Sequence, residues 1–104
     1  MKPLTVVEET VMLAIYRLKG QAYSVTIHQE IMTMTGKDMI LGTLFNTLKQ
    51  LHGKNYVQKT KAKPPTEKGG KDVLLYNLTK EGLDALEQTR SMNARIWDQI
   101  PETL

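Results

Sequence analysis

Four side chains in "GTLFNTLKQL", residues 42–51, offer hydrogen bonds without carrying charge: Thr43, Asn46, Thr47 and Gln50. Asn46 and Gln50 are four apart, so a helix would set both amides on one face. A side-chain amide donates and accepts at once, which matches the N6 donor and N7 acceptor on the major-groove edge of adenine. Thr43 could donate to a phosphate oxygen or touch a thymine methyl, and Thr47 and Lys49 flank the same arc. Shortly downstream come Lys59, Lys61, Lys63, Lys68 and Lys71. An ammonium is a point charge suited to phosphate oxygens. With Lys54, residues 54–78 hold six lysines against only Glu67 and Asp72, while residues 79–104 are net acidic. A positive excess confined to one segment is the footprint of a polyanion contact. A solvated loop kept soluble by lysines has the same composition, so charge alone leaves both readings open.

Other chemistries are poorly supplied. The chain has no cysteine, which excludes disulfides, thiolate metal sites and a thiol nucleophile. His28 and His52 lack partners at metal-ligand spacing. No Ser/His/Asp set or catalytic carboxylate pair can be assembled. "EKGGK" looks superficially like a phosphate loop but lacks the strand-loop-helix context such loops need. The Met-rich "IMTMTGKDMI" is ordinary core filling. The expectation is a protein that is not an enzyme, with no metal and no cofactor.

The elements that must position these residues follow from local signals. The 104 residues suggest one domain. No apolar run is long enough to span a bilayer. The apolar N-terminus is interrupted by Glu8 and Glu9 and reads as a mature helix, not a signal peptide, so a cytoplasmic protein is expected. Thr5 and Glu8 have capping-box spacing and should start a helix that buries Val7, Val11, Met12, Ala14, Ile15 and Leu18 and stops at Gly20. Ser24 is the expected cap of a second helix, with Ile27, Ile31 and Met34 at helical spacing and Gly36 as its end. A third helix should start near Ile40 and pack Leu44, Phe45, Leu48, Leu51 and His52 on one arc, leaving Asn46, Gln50 and Thr43 at the centre of the other. "YVQKTKAK" and "KDVLLYNL" read as strands, and "PPTEKGG" between them as a turn. The strands should form a hairpin with a long basic tip, its lysines 59, 61 and 63 on one face. Thr79 should cap a last helix of roughly 20 residues, about 30 Å long, limited by Pro101. Its stripe of Leu83, Leu86, Ile96, Trp97 and Ile100 is the candidate dimer interface. The fold class expected is mainly α with a small β-hairpin. A winged helix-turn-helix domain over residues 1–78 would be followed, in the same compact unit, by a dimerisation helix over residues 79–104. In that plan the third helix enters the major groove and the hairpin lies beside it.

Three stretches carry a family resemblance. "GTLFNTLKQLHGKNYV" resembles the "GTLYxxLxxLexxGLI" block of PadR-type transcriptional regulators. "YSVTI" resembles their "YGYEI", and "LYNLTKEGLDAL" their "YYxLTxxGxxxL". The three occur in the family's order and span roughly Thr5 to Leu86. The resemblance implies a winged-helix DNA-binding domain, a homodimer built largely by the C-terminal helix, and a repressor often released by a small molecule. Trp97, the only tryptophan, would then pack in the dimer interface or, paired across it, line a flat cavity for an aromatic effector. Three positions depart from the family pattern. Phe45 replaces a usual tyrosine, Asn46 replaces a common proline, and "EKGGKD" stands where an arginine cluster is usual before the second strand. The reading that results is a dimeric regulator, a repressor as the resemblance implies, that binds an inverted-repeat double-stranded operator. The alternative is a winged-helix protein-interaction module without specific DNA binding.

Overall fold

The structure is a computed structural model and describes residues 3–63 and 71–104. The helix ends are set largely by the local signals. In α1 (Val6–Leu18) the Glu8 N–H donates to Thr5 Oγ1 at 3.1 Å and the Thr5 N–H donates to Glu8 Oε1 at 2.9 Å, which completes the capping box. In α2 (Ser24–Thr35) the cap is Tyr23, and Ser24 is already helical. The hydroxyl that satisfies the free Tyr23 N–H belongs to Thr26, at 2.9 Å. Gly36 closes α2 in the left-handed region at φ 71°, where a side chain would be strained. Helix α3 spans Leu41–Gly53. Strands β1 (Val57–Ala62) and β2 (Val73–Leu78) pair antiparallel, from Val57 opposite Leu78 to Ala62 opposite Val73. Thr79 caps α4 (Lys80–Ile96), its Oγ1 accepting from the Gly82 N–H at 2.9 Å.

The core is three helices closed by the hairpin. Val11, Met12, Ala14 and Ile15 of α1 meet Ile27 and Ile31 of α2 and Leu44, Leu48 and Leu51 of α3, with Val57 and Ala85 sealing the far side. Val7, expected inside, lies at the exposed rim, and Leu18 is half-buried. The wing is fastened at its base: the Tyr76 N–H of β2 donates to the Ala22 carbonyl in the α1–α2 linker at 2.7 Å. Only Gly82, Ala85 and Thr89 of α4 are buried, so its second half projects and the molecule is elongated, 54 Å on its long axis. The helix is also shorter than expected. It ends at Ile96 with Trp97 as its cap, and Gln99 turns left-handed at φ 72°. Trp97 and Ile100 therefore leave the helical stripe and lie in the turn beyond it.

One buried charge ties the start of α1 to the end of α3. Glu8 is 3% exposed, and its Oε2 accepts from Lys54 Nζ just past α3 at 2.5 Å. Burial alone would raise the Glu8 pKa. The Lys54 ammonium and the Thr5 backbone and hydroxyl outweigh it and hold the carboxyl below its ordinary value. A depressed folded pKa means stabilisation that is complete above the unfolded pKa and is lost as pH falls through the folded one. Lys54→Met should cost about 1–2 kcal/mol at neutral pH, less than a fully buried pair because the lysine is half in solvent. In urea melts the gap from wild type should shrink below the carboxylate range. A gap that stays constant into acid would show that the charge pair is not its source.

Candidate nucleic-acid interface

Helix α3 presents one buried and one open side. Leu44, Thr47, Leu48 and Leu51 are buried, while Leu41, Gly42, Thr43, Phe45, Asn46, Lys49 and Gln50 are exposed. Asn46 and Gln50 thus point away from the protein's own interior, as expected. Two expectations are corrected. Thr47, taken as a flank of the open arc, is buried because its hydroxyl donates to the Thr43 carbonyl at 2.7 Å and its methyl then packs inward. Phe45, taken as core, is 52% exposed, and His52 is also outside. At about 100° per residue, these two changes rotate the open face by roughly 60°. Its centre is Gly42, Asn46 and Lys49, with Phe45 on one side and Gln50 and Thr43 on the other.

The turn that sets the angle of α3 is held by a residue that the sequence left without a role. His28 Nε2 lies 2.7 Å from Asp38 Oδ1 and 2.9 Å from the Met39 carbonyl. Both neighbours are acceptors, so this nitrogen carries a proton and donates. The bond joins α2 to the residue just before the α3 cap, Ile40. Only the fold brings His28 and Asp38 together, and no sequence spacing announces the pair.

Along β1, Lys59 and Lys61 are exposed and stand opposite Tyr76 and Leu74. They share a face of β1, as alternation predicts, whereas Lys63 lies just beyond the end of the strand. Lys63 is not free of partners: its Nζ lies 3.1 Å from Asp72 Oδ1. Lys71 is exposed, and Lys68 and the expected basic tip lie outside the described residues. Lys54, counted with the basic segment, is committed to Glu8.

Helices α1 and α4 carry a second surface. Leu83 and Leu86 of α4 border a groove of about 470 Å³ with Glu9, Leu13 and Tyr16 of α1 and Arg90 of α4. Leu83, Ile96, Trp97 and Ile100 are all exposed, Trp97 by 61%. Arg90 lines this groove, whereas Arg95 lines a neighbouring cleft with Pro3 and Met92.

At the junction of α3, β1 and α4 the backbones come very close. The Thr79 N–H donates to the Tyr56 carbonyl at 3.0 Å, and Thr79 Oγ1 donates to the Asn55 carbonyl at 2.6 Å. Asn55 turns left-handed at φ 62°, and its amide donates to Glu81 at 2.6 Å. A Cβ on Gly82 would fall well inside van der Waals contact of the Tyr56 carbonyl oxygen, with the Tyr56 carbonyl carbon at 3.1 Å and Met12 Cε at 3.3 Å. The glycine of "LTKEGL" is therefore required by close packing, not by a turn.

No protein-family model and no curated protein matches the sequence. Solved structures do match its shape. A PadR family transcription regulator from Clostridium difficile superposes with a TM-score of 0.72 at 21% identity, over 92% of this chain and 94% of that one. A PadR-like transcription factor from Bacteroides fragilis gives 0.76 at 19% identity, over 90% and 85%. RosR from H. salinarum gives 0.70 at 21% identity, over 95% and 82%. The fold is of the PadR type. Four helices and a two-stranded hairpin fill that PadR-type plan from α1 through α4. The first two of these neighbours are described as transcription factors or regulators, and none of the three as an enzyme. Among the described residues no helix is long and apolar enough to cross a membrane, and no cluster of three metal-ligating side chains occurs.

Proposed function

We propose that the chain is a sequence-specific, double-stranded-DNA-binding transcriptional regulator acting in the cytoplasm as a homodimeric repressor. The observation that carries this reading is the open face of α3. Asn46, Lys49 and Gln50 stand in solvent while the opposite side of the same helix is buried in the core. An amide pair on an otherwise unengaged third helix is what adenine readout requires. Exposed Lys59, Lys61 and Lys71 on the hairpin supply phosphate contacts, and the PadR-type fold is shared with proteins described as transcription regulators. Residues 1–78 form the DNA-binding unit.

Residues 79–104 form the dimerisation unit. The groove between α1 and α4 and the exposed Leu83, Ile96, Trp97 and Ile100 leave an apolar surface that a second copy would cover. A planar aromatic effector seated against the paired Trp97 side chains is the finer reading of how repression is released. Trp97 is the only tryptophan, so its emission reports directly on such a ligand.

Selection of bound duplexes from a random library tests the proposal. The enriched site should be an inverted repeat with half-sites roughly 34 Å apart. Equal retention of all duplexes would sink it. Salt dependence separates the phosphate contacts. Lys59→Ala or Lys61→Ala should each flatten the slope of log affinity against log salt by about 0.9. Lys63→Ala should change it less, because Asp72 already holds that charge. Slopes unchanged from wild type in all three variants would assign the hairpin lysines to solvent instead.

A further inference from the structure

We infer that Phe45, with Leu41 one turn before it, reads thymine methyl groups in the major groove; the inference rests on the DNA-binding reading above. Phe45 is 52% exposed and Leu41 50% exposed, and Ile40 at the helix cap is more exposed still. Isolated surface hydrophobics need no explanation. Leu41 and Phe45 are not isolated: they stand four apart along α3, and Lys49 continues their row after another four. The parallel row, also at intervals of four, is Gly42, Asn46 and Gln50. An apolar ridge thus runs directly beside an amide ridge on the face that no part of the described chain covers.

The occupant must match both ridges. It must offer apolar spots among hydrogen-bonding edges, with negative charge close by for Lys49 and the exposed lysines of β1. A DNA major groove has this pattern wherever thymine occurs, because the thymine C5-methyl is its one apolar group and phenylalanine is among the side chains suited to it. A protein groove lined with apolar residues would suit Phe45 but leave Asn46 and Lys49 to be desolvated without partners. Gly42 leaves the centre of the face without a side chain, so both ridges can approach one groove floor together. The half-site should therefore hold adenine at the Asn46 position and thymine methyl groups beside it.

Uracil substitution tests this without altering base pairing. In the duplex selected by the protein, each thymine of one half-site is replaced in turn by uracil, and affinity is measured by fluorescence anisotropy. The expected result is one or two positions where loss of the methyl weakens binding about fourfold, the value of one buried methyl-sized group. At those positions Phe45→Ala should bind the thymine and uracil duplexes equally. Phe45→Gln should behave in the same way, and both variants should melt near wild type because the ring is half in solvent. Undiminished binding to every uracil duplex would overturn the inference and leave the DNA-binding reading standing. So would a methyl effect that persists in Phe45→Ala. Failure to bind any duplex at all would overturn both.

Discussion

Gly82→Ala should destabilise the fold by about 3 kcal/mol or more, lowering the melting temperature by about 12 °C or more, as expected for forced overpacking against backbone. The added methyl would enter the space of the Tyr56 carbonyl oxygen. That oxygen cannot withdraw cheaply, because it accepts the Thr79 N–H that positions the start of α4. Met12, the other close neighbour, is fully buried and has little room to yield. Gly42→Ala makes the useful comparison. Nothing lies within 4 Å of a Cβ there, and φ is ordinary. The same chemical change at Gly42 should be neutral or stabilising by up to about 1 kcal/mol, through helix propensity. Circular dichroism melts of the two variants would decide the matter. Similar melting temperatures for both would refute the close-packing account of Gly82.

The second large effect concerns recognition. Each amide that pairs with a base in two hydrogen bonds is worth about 1–3 kcal/mol of discrimination. Asn46→Ala combined with Gln50→Ala should therefore reduce affinity for the selected duplex by about 10²–10⁴-fold while leaving affinity for scrambled DNA nearly unchanged. Of the two singles, Asn46→Ala should cost more. It lies near the centre of the open face, whereas Gln50 lies toward its edge. The salt slope should stay as in wild type, since no phosphate contact is removed. Anisotropy against selected and scrambled duplexes at several salt concentrations reads all three quantities. Unchanged discrimination in the double variant would remove α3 amides from the readout.

The parts of the fold that were legible in the sequence are those fixed by chemistry within one turn of chain. Thr5 with Glu8, Gly36 and Thr79 each satisfy or terminate a helix end through neighbours three or four residues away, and the structure uses them as expected. The two strands were legible for a similar reason, since the first alternates and the second is rich in sheet-favouring residues; the stretch expected as a turn between them lies outside the described residues. The facing of α3 was less legible. A threonine that bonds back to its own helix can pack like a small apolar residue, and a phenylalanine can stand outside, and a helical wheel weighs neither. Lys54 added to the lysine count of the basic segment because its partner lies 46 positions away, and no local pattern distinguishes a lysine bound to a buried carboxylate from one left for phosphate. The end of α4 was missed because Gln99 turns the chain before Pro101 could.

The bond from Tyr76 to Ala22 has a mechanical consequence. It fastens the return strand of the hairpin to the segment joining the first two helices, on the opposite side of the strand from β1. The hairpin is therefore no free-swinging arm. Tilting it would drag that linker, and with it the start of α2, so a force applied to the wing by a bent duplex would be felt in the seating of the helix pair.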